Sequence, residues 1–215
     1  MWLHVDAAFS GSACICPEFR YLLDGVELAT SFNFNPHKWL LVNFDCSAFW
    51  VRDKQALIQA LSVLPEYLKN DATASGAVTD FRDWQIPLGR RFRALKLWFV
   101  LRSYGVHAIQ ERIRAHVQWA SLFENWLHED DRFEVVSPRV LSLVVFRAQG
   151  SDDFNSRLLQ KLNATGKAYL THTSVNGRFA IRLAVGGFHT RFVHVEALWK
   201  LLQELVLLAS LSTSG

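Results

Sequence analysis

The sequence predicts an α/β fold that gives way, about half-way along, to a smaller α+β domain. Three observations carry this. Short apolar runs bounded by Gly, Pro, Asn or Asp alternate with amphipathic stretches in the first half. Two long stretches of helical spacing then meet at Gly105. Beyond them, strand-like runs come in pairs separated by helical patterns, the order expected of a small antiparallel sheet with helices packed on it.

The elements follow in order. Trp2 to Ala7 is a short apolar run that ends in Asp6 and small residues, as in a buried strand that delivers a functional side chain at its C-terminal end. Glu18 to Leu23 has room for one or two helical turns, and Ser31 to Phe34 is a second strand. Pro36 biases Asn35 away from the helical region and forces a turn, so Lys38 is expected on a loop. Leu40–Val42 and Cys46–Val51 read as further strands, and Lys54–Leu61 as a helix. From Pro65 to Asp83 periodicity is lost over more than the ~12–15 residues at which unstructured connections become uncommon, which predicts a lid or a disordered loop. Helices are expected over Leu88–Tyr104, with Arg90, Arg91, Arg93 and Lys96 on a solvated or subunit-facing side, and over Val106–His128. Strands follow at Phe133–Val136 and Leu141–Arg147, then a helix at Asp152–Asn163. Two more strands, Ala168–Val175 and Phe179–Val185, precede a last helix from Arg191. The domain boundary is placed at Gly105, giving domains over 1–104 and 105–215.

Composition excludes several classes. Half of the 215 residues are hydrophobic and 20% are charged, which rules out a disordered or fibrous chain. The 23 Lys and Arg against 20 Asp and Glu are scattered, so no nucleic-acid partner is expected. Three cysteines are few and odd in number, which points away from a secreted disulfide framework and toward the cytoplasm. No signal peptide is readable at the start. The most apolar stretch, Phe192 to Leu211, is broken by Glu196, Lys200, Gln203 and Glu204, whereas a membrane span needs ~20 mostly apolar residues. It reads as a packing helix, and no membrane association is expected. A chain that opens inside a strand is expected to be a fragment, one that aggregates and has no activity by itself.

Two residues stand out chemically: Asp6 at one strand end, in His4-Val5-Asp6-Ala7-Ala8, and Lys38 at another, in Asn35-Pro36-His37-Lys38-Trp39. A lysine and an acid at one sheet edge are what pyridoxal phosphate chemistry needs, since the lysine bonds the cofactor aldehyde and the acid keeps the pyridine nitrogen protonated. As spacing alone the signal is weak, and the pair reads more readily as a solvated ion pair or a surface accident. Cys14-Ile15-Cys16 is too tight for a zinc pair, and His116 and His172 lack partners at ligand spacing, so no metal site is expected. Gly186-Gly187 reads as a strand exit.

The segments Trp2–Ala13, Ser31–Ser47 and Asp83–Arg93 resemble the C-terminal half of the aromatic-L-amino-acid decarboxylases, group II pyridoxal phosphate enzymes of fold type I. The likeness runs from residue 2 to about residue 205 and is nearest to the plant tryptophan and tyrosine decarboxylases, with Asn-Pro-His-Lys its most specific motif. The resemblance implies the last part of the large cofactor-binding domain followed by the small α+β domain. Pyridoxal 5'-phosphate would be the cofactor, an aromatic L-amino acid the substrate, and a homodimer the full-length assembly. It makes Lys38 the cofactor lysine, Asp6 the acid on the pyridine nitrogen, Ala8 the small residue against the ring, and Asn35 a hydrogen-bonding residue near the phosphate. His37 either contacts the cofactor or fixes the loop through its backbone. Tyr67 matches a mobile-loop tyrosine, over about 65–83, that returns a proton to carbon after carbon dioxide leaves; its phenol, with an ordinary pKa near ~10, holds that proton at neutral pH. Leu88 and Gly89 match a segment lining the neighbouring subunit's substrate pocket, and Gly89 favours tryptophan over tyrosine or dihydroxyphenylalanine.

Family members run to about twice this length, and residues matching their N-terminal half are not found here. Three readings follow: a decarboxylase, an aromatic aldehyde synthase of the same family, and a non-catalytic truncated paralogue. Aldehyde synthases of the family carry Phe at the position of Tyr67, so Tyr67 favours the first over the second.

Overall fold

The computed structural model describes residues 1–63, 65–68 and 70–211. Contacts within the chain divide it into two units, Met1–Val106 and His107–Gly215.

The first unit is built on a three-stranded sheet in the order β1 (His4–Asp6), β2 (Ser31–Phe34), β3 (Ala48–Val51). β1 and β2 run parallel, with Asp6 beside Asn33, and β3 returns antiparallel with Phe49 opposite Asn33. The parallel pair needs a crossover, and residues 10–28 supply it as three short 3-10 stretches, one of them at Pro17–Leu23 where helical turns are predicted. Gly11 makes a close approach possible: a Cβ there would lie 2.4 Å from the Cβ of Phe34.

Pro36 opens a one-turn helix, α1 (Pro36–Trp39), so Lys38 lies on helical backbone and not on a loop. The expected restriction of Asn35 holds, at φ −111° and ψ 96°, but the same proline that excludes helix before itself is well suited to the first helical position. Leu40–Val42 does not form the predicted strand. Leu40 and Val42 both return their N–H groups to the carbonyl of Pro36, and Leu41 takes a left-handed φ of 64°. The apolar run is there because Leu40 and Val42 are buried, which a short hydrophobic stretch cannot distinguish from strand pairing.

α2 (Lys54–Leu61) is capped by Asp53, whose side chain accepts the N–H of Gln55. The aperiodic stretch after it holds single turns: 3-10 turns at Glu66–Leu68 and Phe81–Trp84 and α3 (Asp71–Ala74), capped by Asn70 through the N–H of Thr73. Turns this short leave no repeat to read. Lys69, within the predicted loop, lies outside the described residues.

α4 (Arg93–His128) starts five residues later than the spacing of Leu88 onward predicts. The Gln85 amide donates to the carbonyl oxygens of Pro87 and Gly89, at 2.9 and 3.2 Å, and so occupies acceptors that a helix begun there would need. Gly105, at φ 74° and ψ 156°, interrupts the helix.

The second unit has an antiparallel sheet in the order β4 (Phe133–Val140), β5 (Leu143–Ala148), β7 (Arg178–Ala184), β6 (Thr171–Val175). Its core joins Ala120, Phe123 and Leu127 of α4 to Phe146 and Ile181 of the sheet, and to α5 (Asp152–Ala164) and α6 (Phe192–Leu211). β6 begins later than predicted because Asn163 pairs its side-chain amide with both backbone groups of Leu170, at 2.9 and 3.0 Å, taking them out of the ladder. Among the described residues no helix is long and apolar enough to cross a membrane, and no group of three or more His, Cys, Asp or Glu could hold a metal.

Candidate active site

Parallel pairing sets the geometry of the candidate site. β1 and β2 point the same way, so the segments leaving them emerge at one edge of the sheet, the edge where open α/β sheets place ligands. The pairing continues past both strands, with Ala7 N–H bonding the Asn33 carbonyl at 2.9 Å and Asn35 N–H bonding that of Ala8 at 3.0 Å. Asp6–Ala8 and Asn35–Lys38 are therefore brought together. The Phe9 ring stacks on the fully buried Trp39, with centroids 4.4 Å apart and planes 6° from parallel, so the segment after Asp6 is also packed against the turn that carries Lys38.

Asp6 and Lys38 are both exposed. Asp6 Oδ1 accepts the N–H of Ala8 at 2.9 Å, which fixes the carboxylate. Among the described residues no ion pair joins Asp6 to Lys38. Asn35 Oδ1 accepts from Ser47 Oγ at 2.7 Å, so this side chain is committed to the next loop and does not cap α1. His37 Nδ1 lies 2.7 Å from the carbonyl oxygen and 3.0 Å from the amide nitrogen of Cys46, and in either tautomer it bonds to that backbone. Its ring meets the ring of Phe44 edge-on at 4.9 Å.

The other sequence-predicted residues stand apart from this group. Tyr67 is 78% exposed on its 3-10 turn, and among the described residues no hydrogen bond or ring contact joins it to Asp6 or Lys38. Leu88 is 59% exposed, and a Cβ on Gly89 would meet nothing within 4 Å. Reading from sequence missed Ser47, Asp45, Arg93 and Lys96. Arg93 and Lys96 face neither solvent nor a subunit alone: both bond the loop that follows α1. The signal was weak, since Asp45 sits in a turn with no basic residue near it in sequence.

Residues 1–149 match the family model described as the pyridoxal-dependent decarboxylase conserved domain. The chain belongs to the pyridoxal-dependent decarboxylase family. It is 55% identical over 211 residues to tryptophan decarboxylase 2 of Oryza sativa subsp. japonica, covering 95% of this chain and 42% of that protein. Tyrosine decarboxylase 2 of Narcissus pseudonarcissus is 52% identical over the same shares of each chain. Among solved structures, Oryza sativa TDC with PLP and tryptamine superposes with a TM-score of 0.89 at 50% identity, covering 95% of this chain and 44% of that one. Rhodiola rosea 4-hydroxyphenylacetaldehyde synthase superposes with a TM-score of 0.83 at 43% identity, over 95% and 43% of the two chains. The chain thus spans less than half the length of the relatives it matches.

Pyridoxal phosphate is the cofactor of this decarboxylase family, and the donor set at the sheet edge suits it. Lys38 offers an accessible primary amine and Asp6 an accessible carboxylate already oriented by a backbone N–H, while Ala8 beside them adds only a methyl group. These are the residues of this chain that could hold the cofactor, and Asn35 and His37 fix the turn between them.

Proposed function

We propose that this chain carries the lysine-bearing part of a pyridoxal phosphate-dependent decarboxylase that converts an aromatic L-amino acid, tryptophan before tyrosine or dihydroxyphenylalanine, to the arylalkylamine and carbon dioxide. The observation that carries the reading is the convergence of Asp6 and Lys38 at one edge of the parallel β1–β2 pair. Bound pyridoxal phosphate supplies a conjugated ring that accepts the electron pair left when carbon dioxide departs. Lys38 Nζ would hold the cofactor through its aldehyde carbon. The Asp6 carboxylate keeps a proton on the ring nitrogen, and Ala8 leaves the ring face clear. Tyr67 Oη delivers the proton that replaces carbon dioxide, with the surrounding turns closing over the site to bring it there and to keep water out. Leu88 and Gly89 line the substrate pocket of the neighbouring subunit in the full-length dimer. The similarity to decarboxylases with tryptophan and tyrosine in their names supports the substrate class.

The aldehyde synthase in the same family is the second reading, and Tyr67 weighs against it. In this reading residues 1–104 complete the large cofactor domain, 105–215 form the small domain, and the full-length protein is a cytoplasmic homodimer. That Cys14, Cys16 and Cys46 form no disulfide among the described residues agrees with a reducing compartment.

The test is a chimera in which residues 1–215 replace the matching part of the Oryza sativa tryptophan decarboxylase 2. It is expected to release tryptamine and carbon dioxide from L-tryptophan, and Lys38→Ala to abolish both release and borohydride fixation of the cofactor. A folded, cofactor-loaded chimera without activity, or fixation that survives Lys38→Ala, overturns the reading.

A further inference from the structure

The helix that presents Lys38 cannot hold itself in place. It is one turn long, far below the ~12 residues at which an isolated helix becomes even marginal, and Leu41, just beyond it, is in the left-handed region that costs most residues energy. What holds it comes from another element. Asp45 Oδ2 accepts from Arg93 Nε at 3.1 Å with Arg93 Nη2 at 3.0 Å, and Arg91 Nη1 approaches Oδ1 at 3.4 Å. Lys96, one turn along the same face of α4, donates from Nζ to the carbonyls of Asn43 at 2.9 Å and Asp45 at 2.7 Å. Cys46 Sγ lies 3.9 Å from the Arg93 carbonyl, and the Cys46 backbone is what His37 bonds through both its ring nitrogen and its own N–H. An unbroken chain of contacts therefore runs from the start of α4, through residues 43–46, to His37 and the lysine beside it.

We propose that Asp45, Arg93 and Lys96 are positioning residues for Lys38: they clamp the 43–46 loop onto α4 and, through Cys46 and His37, set where the Lys38 amine is presented. The proposal rests on the reading of Lys38 as the cofactor lysine. Lys96 is the stronger arm. Its ammonium bonds two carbonyls that have no charge of their own to be screened, whereas the Asp45–Arg93 pair is about one-third exposed on both sides and is weakened by solvent. The hydrogen bond from Arg93 lowers the pKa of the Asp45 carboxyl from its ordinary value.

The experiment uses the cofactor-free form of the chimera described above, with residues 1–215 in wild-type, Lys96→Met, Lys96→Arg and Asp45→Asn forms. Each is treated with pyridoxal phosphate and then borohydride, and labelling of Lys38 is read by peptide mass against the exposed Lys54. Amide exchange over residues 37–46 and the melting midpoint are measured on the same samples. Lys96→Met is expected to reduce the Lys38 preference and to accelerate exchange over 37–46, each by about tenfold, as for the loss of one hydrogen bond to a charged group. Asp45→Asn should act in the same direction more weakly, and Lys96→Arg should recover most of the labelling. Wild-type labelling at Lys38 no faster than at Lys54 overturns the reading of Lys38 and the clamp with it. Unchanged Lys38 preference in Lys96→Met, even with a lowered melting midpoint, overturns the clamp alone and leaves these residues a stabilising role only.

Discussion

In the function proposed above, two single residues decide chemistry that the rest of the site leaves open. Gly89 bears on the substrate. A Cβ there would meet nothing within 4 Å of this chain, so Gly89→Ser adds a hydroxymethyl group without internal strain, and its effect is confined to what lies across from it. In the chimera described above, the ratio of kcat/KM for tryptophan to that for tyrosine should fall on Gly89→Ser by about 10-fold, the scale of ~1–3 kcal/mol that one small group contributes to a hydrophobic pocket. An unchanged ratio assigns specificity to other parts of the protein. Tyr67 bears on the product. It stands 78% exposed with its phenol uncommitted among the described residues, so Tyr67→Phe removes a proton donor and little packing. The expected outcome is amine release lowered at least ~100-fold, the usual contribution of a positioned acid, with aldehyde, ammonia and peroxide rising under oxygen. Amine release at the original rate from the Phe variant would identify another acid. Both proposed roles were legible only through the family resemblance, since by itself Tyr67 reads as an ordinary loop aromatic. The clamp on Lys38 was not, because Asp45 and Lys96 are distant in sequence and each by itself resembles any surface charge.

At the level of elements, reading succeeded where periodicity is long and failed where one side chain reassigns one backbone group. α2 and α5 lie where the spacing predicts, with α5 capped by Ser151 through the N–H of Phe154. The errors have local causes: Gln85 delays α4, Asn163 delays β6, and Pro36 starts a turn of helix where a loop was expected. None of these could be weighed from composition, because each depends on which of several polar groups finds a backbone partner. Gly11 gives the element scale its own prediction. The 3-10 stretch that contains it lies against β2, and a methyl group at 2.4 Å from the Phe34 Cβ cannot be accommodated by rotating a flexible side chain. Gly11→Ala should therefore cost ~1–3 kcal/mol of stability, as for other overpacked sites. Because residues 6–9 lead directly into that stretch, it should also loosen the stacking of Phe9 on Trp39. Denaturant unfolding of the chimera described above, monitored by tryptophan fluorescence, measures the first effect; a stability equal to wild type would mean that the 3-10 stretch moves away at little cost.

For the molecule as a whole, the two units differ in how much core each owns. The aromatic cluster of Phe123, Phe133, Phe146 and Trp199 and the aliphatic residues around it belong entirely to residues 107–215. Residues 1–106, by contrast, leave Ile86 90%, Phe44 83% and Phe92 74% exposed. Apolar exposure on that scale marks surface that another body covers or that promotes aggregation. Residues 107–215 are therefore expected to unfold cooperatively when expressed alone, and residues 1–106 to bind a hydrophobic dye and to lack a sharp transition. The cooperative unit carries an internal pH gauge. His116 is fully buried beside Trp119, and burial, reinforced by the charge of Arg112, lowers its pKa to about 4. The unfolded chain takes up that proton near pH 6.5 and the folded one resists it until about pH 4. Stability is thus complete above pH 6.5, declines as pH falls through this interval, and reaches a loss of about 3 kcal/mol below it. Asp130, lowered to about 2 by its bonds to Arg132, contributes separately and at more acid pH, its share being present above the ordinary carboxylate range and lost as pH falls toward 2. Melting midpoints of residues 107–215 measured from pH 7 to pH 4.5 should decline for the wild type. They should decline much less for His116→Gln, which keeps a polar side chain but cannot be protonated. Parallel declines in the two proteins would assign the acid sensitivity to groups other than His116.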